Sequence, residues 1–91
     1  MRKIKVRQMT SPRTGNPIAN HFKIYTDKGV YFQSYRSIIA FKPNNGKTQL
    51  DKKYWHYSRT TSKYRNEFLN EYTEETRQKI KEGEYKLTNL N

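Results

Sequence analysis

Apolar and polar residues alternate along the first half of the chain, and the period changes near residue 54. Ile4 and Val6 alternate with Lys3, Lys5 and Arg7, which predicts a strand over residues 2–9 with one buried apolar face and one basic face. Ser11 to Asn16 contains Pro12 and Gly15 and reads as a loop. Residues 17–26 predict a second strand, with Ile18, Phe22 and Ile24 on one face and His21, Lys23 and Tyr25 on the other. Asp27-Lys28-Gly29 is a hairpin turn with Gly29 suited to positive φ. A third strand alternates Val30, Phe32 and Ser34 with Tyr31, Gln33 and Tyr35. The fourth, Ile38 to Lys42, is nearly continuous in apolar residues and so is expected at the centre of the sheet. Pro43 to Gly46 turns the chain into a fifth strand, Lys47 to Leu50.

Beyond Tyr54 the spacing becomes helical. Tyr57, Thr61, Tyr64 and Phe68 recur at intervals of four, three and four. Thr60 or Thr61 is the expected N-cap, with Tyr54 to Tyr57 as an extended or irregular lead-in. Thr73-Glu74-Glu75 opens a second helix with acid at the positive end of its dipole, and Gly83 closes it. The expected architecture is a single α+β domain over residues 1–91. It has a four- or five-stranded antiparallel meander, two short helices packed on the sheet, and residues 84–90 as a candidate C-terminal edge strand.

Charge changes this picture from a fold to a surface. The formal net charge is +11, and ten of the 19 Lys and Arg fall in residues 1–50 against the single acid Asp27. Residues 71–91 carry four basic residues against five Glu, so the cationic field belongs to the first three quarters of the chain. Such an excess attracts polyanions.

Two basic stretches are candidate contacts. Lys3, Lys5 and Arg7 on the first strand, with Arg13 in the loop, form a phosphate-tracking surface, or a solvated edge protected from pairing by its charges. Arg59, Thr60, Thr61, Lys63 and Arg65 cluster at the start of the first helix. Cations there oppose the macrodipole at about 0.3–1 kcal/mol each, a conflict that a bound anion resolves; capping alone also accounts for the hydroxyls. Among eight Tyr, four Phe and one Trp, Tyr35 and Tyr57 are the candidates for base stacking beside these cations.

Other chemistries find little material. The chain has no cysteine, so it offers no thiolate metal site and no disulfide scaffold, which points to a reducing compartment, the cytoplasm. His21 and His56 stand alone, and only Asp27 and Asp51 supply carboxylates before Glu67. No catalytic residue, metal site or cofactor is expected. No apolar run approaches the roughly 20 residues of a membrane span.

The chain also resembles a family of small uncharacterised proteins encoded by bacteriophages and plasmids of Gram-positive bacteria. The resemblance runs through Pro12 to Asn20, Tyr31 to Tyr35, Ser37 to Phe41, Tyr54-Trp55, Tyr57 to Arg65, Phe68-Leu69 and Gly83-Glu84-Tyr85. It implies a mobile-element protein working in a bacterial cytoplasm, and carries no catalytic residue with it. Together these features lead to a nucleic-acid-binding protein that contacts phosphates with limited sequence readout. The alternative partner is an acidic host protein such as a polymerase, nuclease or defence factor.

Overall fold

Phe32, Ala40 and Leu50 lie side by side on three neighbouring strands and are almost completely buried, which decides the inner face of the sheet. The computed structural model describes residues 4–91. Its elements are β1 (Lys5–Thr10), β2 (Pro17–Tyr25), β3 (Gly29–Ser34), β4 (Ser37–Pro43), β5 (Gln49–Asp51), α1 (Arg59–Leu69), α2 (Thr73–Lys81) and β6 (Lys86–Thr88). The strands form one sheet in the order β1-β2-β3-β4-β5-β6. Pairs are antiparallel as far as β5, and β5 pairs with β6 in parallel. A parallel pair needs a long crossover, and α1 with α2 supplies it. The expected α+β architecture is therefore present: β1 to β5 form a five-stranded antiparallel meander, two helices follow, and β6 is the C-terminal edge strand that makes six.

One layer of helix covers one face of the sheet. Tyr64 and Phe68 of α1 join Met9, Phe32, Ile39, Ala40 and Leu50 in the core, and the Phe32 and Phe68 rings stack at 5.6 Å. Directly paired residues point to the same side, so the row Arg7–Lys23–Phe32–Ala40–Leu50 faces the helices, while Val6–Ile24–Tyr31–Phe41 faces away. This inverts the face expected for the first strand. Ile4 and Val6 are 71% and 58% exposed, and Met9 is the β1 residue that enters the core. Alternation fixes which side chains share a face, but the helices choose the face they cover, and β1 lies at the rim of that cover.

His21 takes an interior place for the same reason. Its Nδ1 donates to the Ala19 carbonyl at 2.8 Å, so in the neutral ring Nε2 accepts from Ser34 Oγ at 3.1 Å. Ser34 Oγ in turn accepts from Thr61 Oγ1 at 2.9 Å. The chain of hydrogen bonds ties β2, β3 and α1 together without leaving a buried polar atom of the three unpaired.

Two turns deserve their residues. At Gly29 (φ 151°) an added Cβ would sit 2.3 Å from the Lys42 carbonyl oxygen, so close approach of β4 excludes any side chain. Tyr35 occupies the two-residue turn between β3 and β4 at φ 56°, a left-handed conformation that glycine adopts freely and an aromatic residue does not.

Candidate nucleic-acid interface

The first helix begins two or three residues earlier than the threonines suggest. Ser58 is extended (φ −150°, ψ 166°) and its hydroxyl accepts from the Thr61 amide at 3.1 Å, so Ser58 is the N-cap. Thr61 cannot serve, because its hydroxyl is engaged with Ser34 inside the protein. Helical periodicity then sorts the basic cluster. Thr61, Tyr64, Arg65 and Phe68 point inward, while Arg59, Thr60 and Lys63 stay in solvent.

Arg65 is the largest fully buried side chain among the described residues. Its guanidinium donates to the Trp55 carbonyl, and at 2.9 Å to both Asn66 Oδ1 and Thr73 Oγ1. It lies 5.2 Å from the Trp55 ring, a cation–π distance. Burial pulls its pKa below the usual arginine value, with Glu71 acting in the opposite sense. Arg65 and Thr61 are thus interior ties rather than surface contacts, a correction to the expected site. The tie is useful all the same: it fastens the 54–57 lead-in to both helices.

His56 completes this scaffold. Arg77 donates to its Nε2 at 3.0 Å, so Nδ1 carries the hydrogen and faces Ser62 Oγ at 3.0 Å. Burial, then the charges of Arg77 and Arg65, hold the imidazole below its usual pKa. At the start of the lead-in, Asp51 Oδ2 accepts from the amides of Lys53 and Tyr54, and Oδ1 from that of Leu90. Burial alone would raise this carboxyl; the hydrogen bonds outweigh it and hold the pKa below the ordinary range.

Two openings meet on that scaffold. A cleft of about 520 Å³ is lined by Ser34, Tyr35, Arg36, Ser37, Ile39, Tyr54 and Tyr57. Tyr35 and Tyr57 are 54% and 66% exposed, and Tyr54 meets Tyr57 edge-on at 5.5 Å. Tyr57 also lines a second groove, of about 870 Å³, that runs past Ser58, Arg59 and Lys63 at the start of α1. The far part of that groove is acidic, with Glu67, Glu71 and Glu75. The positive section is therefore confined to the helix start.

The expected contacts divide among these places. Tyr35 and Tyr57, far apart in sequence, share the aromatic cleft, while Arg59 and Lys63 line the adjoining groove. Thr60 is exposed on α1. Lys5 and Arg7 lie on the helix side of β1, in register with Tyr25 and Lys23, and Arg13 is exposed in the β1–β2 loop; none of the three lines the cleft. Lys3 lies outside the described residues.

Arg36 and Tyr54 were not anticipated as contacts. The position of Arg36 beside Tyr35 in a tight turn was the available signal. Among the described residues no group of three His, Cys, Asp or Glu is placed to hold a metal ion, and no helix is long and apolar enough to cross a membrane.

The profile of a family of unknown function (DUF8033) matches residues 4–83. The chain belongs to that family. No curated protein and no solved structure matches it.

Proposed function

We propose that this member of a family without an assigned activity binds single-stranded nucleic acid. The bases stack in the Tyr35–Tyr57 cleft, and the phosphates run past Arg36 toward Arg59 and Lys63. The observation that carries this reading is the convergence of two exposed tyrosines and an arginine on one cleft that opens, through Tyr57, onto a capped helix N-terminus. Aromatic rings accept any base on their faces, and cations beside them follow the backbone, so such a surface favours single strands with little sequence readout. Tyr35 adds a second argument. Left-handed backbone at a non-glycine residue costs on the order of 1 kcal/mol, and here it leaves a ring 54% exposed. The ring meets His21 edge-on at 5.5 Å, and its remaining exposed surface on strained backbone supports a role in contact.

Neither a catalytic step nor a cofactor is part of this proposal. Its setting is read as a bacterial cytoplasm and its origin as a mobile element, supported by the resemblance through Pro12–Asn20 and Tyr57–Arg65 and by the lack of cysteine.

The test is a titration of labelled 12-nucleotide DNA and RNA single strands and a DNA duplex at two salt concentrations. Single strands should bind more tightly than the duplex, and with three phosphates engaged log affinity should fall against log salt with a slope of about −2. Tyr35→Gly and Tyr57→Ala should each weaken single-strand binding by about 1–3 kcal/mol. Tyr35→Gly also relieves the turn, which offsets the loss of the edge-on ring contact with His21, so its thermal midpoint should change little. Absence of binding to either single strand at low salt would overturn the proposal.

A further inference from the structure

We infer that the outer edge of β1 receives an extended segment of a partner protein, added as a seventh strand, in which acidic residues alternate with apolar ones. Among the described residues β1 pairs only with β2, so one side of its backbone has no strand beside it. Sheet edges are normally blunted, and here the blunting is partial. A register shift between Gln8 and Thr10 disturbs the pairing at the far end, whereas Lys5 to Gln8 runs in regular register with Phe22 to Tyr25.

The two faces of that regular stretch state what the added strand must carry. On the outer face Val6 is 58% exposed and begins the row Val6–Ile24–Tyr31–Phe41, in which the Tyr31 and Phe41 rings stack at 4.2 Å. An apolar residue set beside Val6, about 4.8 Å away, extends that row and covers a side chain now in water. On the helix face Arg7 stands directly opposite Lys23, a like-charge pair that is unfavourable across strands. Lys23 also depresses the pKa of Lys42, after burial, which is the larger cause. Carboxylates in register with Lys5 and Arg7 would offset this crowding. Alternation of the two requirements along one strand gives acid, apolar, acid.

A second copy of the chain does not meet them. Antiparallel pairing of β1 with its own twin about a two-fold axis sets Lys5 and Arg7 of each chain on one face, four cations together. The basic face thus excludes self-pairing and basic strands while admitting an acidic one, which is specificity by repulsion as well as attraction. Affinity would come from main-chain hydrogen bonds and selection from the alternating side chains. A nucleic acid could meet the charges but not the exposed Val6 or the unpaired backbone.

The experiment uses the full chain and a capped eight-residue peptide alternating glutamate and valine, followed by fluorescence anisotropy and amide hydrogen exchange. The peptide should bind, and amides within residues 5–8 should gain protection. Two controls leave the protein untouched: the same composition with its glutamates in one block, and the alternating peptide N-methylated at every second residue. Both should bind at least tenfold more weakly. The Lys5→Glu, Arg7→Glu double variant, altered at two surface positions, should lose the peptide and gain an alternating lysine–valine one. Tyr35→Gly and Tyr57→Ala should leave peptide binding within twofold, which keeps this edge separable from the cleft. Equal binding of the block peptide, or an oligonucleotide giving the same protection on β1, would overturn the inference.

Discussion

The start of α1 and the outer edge of β1 are both basic, apolar-studded stretches of sequence, yet the fold treats them differently. At the helix start the basic residues are split by the helical turn. Arg65 goes inside and is held by Trp55, Asn66 and Thr73, while Arg59 and Lys63 remain outside. The interior member fixes the wall on which the exterior members and Tyr57 stand. Along β1 the period of two leaves Lys5, Val6 and Arg7 all in solvent, and among the described residues β2 is the strand that holds them. One region is a shaped cleft on a cross-linked scaffold; the other is a ribbon whose selectivity lies in its pattern. Basic composition alone would have called them equal.

Replacement of Arg65 breaks this comparison most directly. Arg65→Ala removes the donor to the Trp55 carbonyl, Asn66 Oδ1 and Thr73 Oγ1 and empties a fully buried site, and should cost about 3 kcal/mol or more, read as a fall in denaturant midpoint. Arg59→Ala with Lys63→Ala, six and two residues before Arg65 in the same basic run, should stay within about 0.5 kcal/mol of the parent and act on single-strand affinity instead. If all three lower stability alike, the division into wall and contact is wrong.

Acid sharpens it next. Glu71 is desolvated, which alone would raise its pKa, but hydrogen bonds from Lys79, Thr76 and Tyr85 hold it below the ordinary range, as happens to Asp51. Depressed carboxylates contribute stability that is complete above their unfolded pKa near 4 and is lost as pH falls through the folded value. His56, also depressed, adds a loss of the same sign that begins below about pH 6.5. Thermal midpoints should therefore drop from pH 7 to pH 3, and amide exchange in α2 and β6 should accelerate before that in β2–β3. Removal of the carboxylate, as in Glu71→Gln, should flatten the acid limb.

The smallest effect belongs to the ribbon. Val6→Thr, at a site 58% exposed, should change stability by less than about 0.5 kcal/mol, measured by chemical denaturation. A larger loss would mean that the outer face is packed in the isolated protein.

Much of the fold was legible because strands and turns announce themselves locally. Thr73-Glu74-Glu75 does open α2, Gly83 does follow its end, and residues 84–90 do return to the sheet as β6. What alternation could not supply was the sign of each face. His21 shared a face with Lys23 and Tyr25 in the sequence reading because the contact that ties its Nε2 into the interior, Ser34, lies 13 residues away and is itself held by Thr61 of α1. Ile4 and Val6 looked like core because nothing local says that the helix layer stops short of β1. The cap shifted to Ser58 for a related reason, since a long-range bond had already claimed Thr61. Of the candidate contacts, Tyr35, Tyr57, Arg59 and Lys63 could be named singly, but their meeting in adjoining openings depends on the path of the chain between β4 and α1.

The parallel pairing of β5 with β6 also sets an order in time. Every earlier strand pair joins neighbours in sequence and can close within a hairpin, on a scale of microseconds. The last pair must wait for two helices to be spanned, and loop-closure entropy is spent before its contacts form. Asn91 bonds both the amide and the carbonyl of Ile38, and Leu90 donates to Asp51, so residues 90 and 91 join β4 and β5 late. A chain still emerging from the ribosome would hold its meander with the β5 flank open. The Asp51 turn that carries Tyr54 toward the cleft would acquire its Leu90 hydrogen bond only when synthesis reaches that residue.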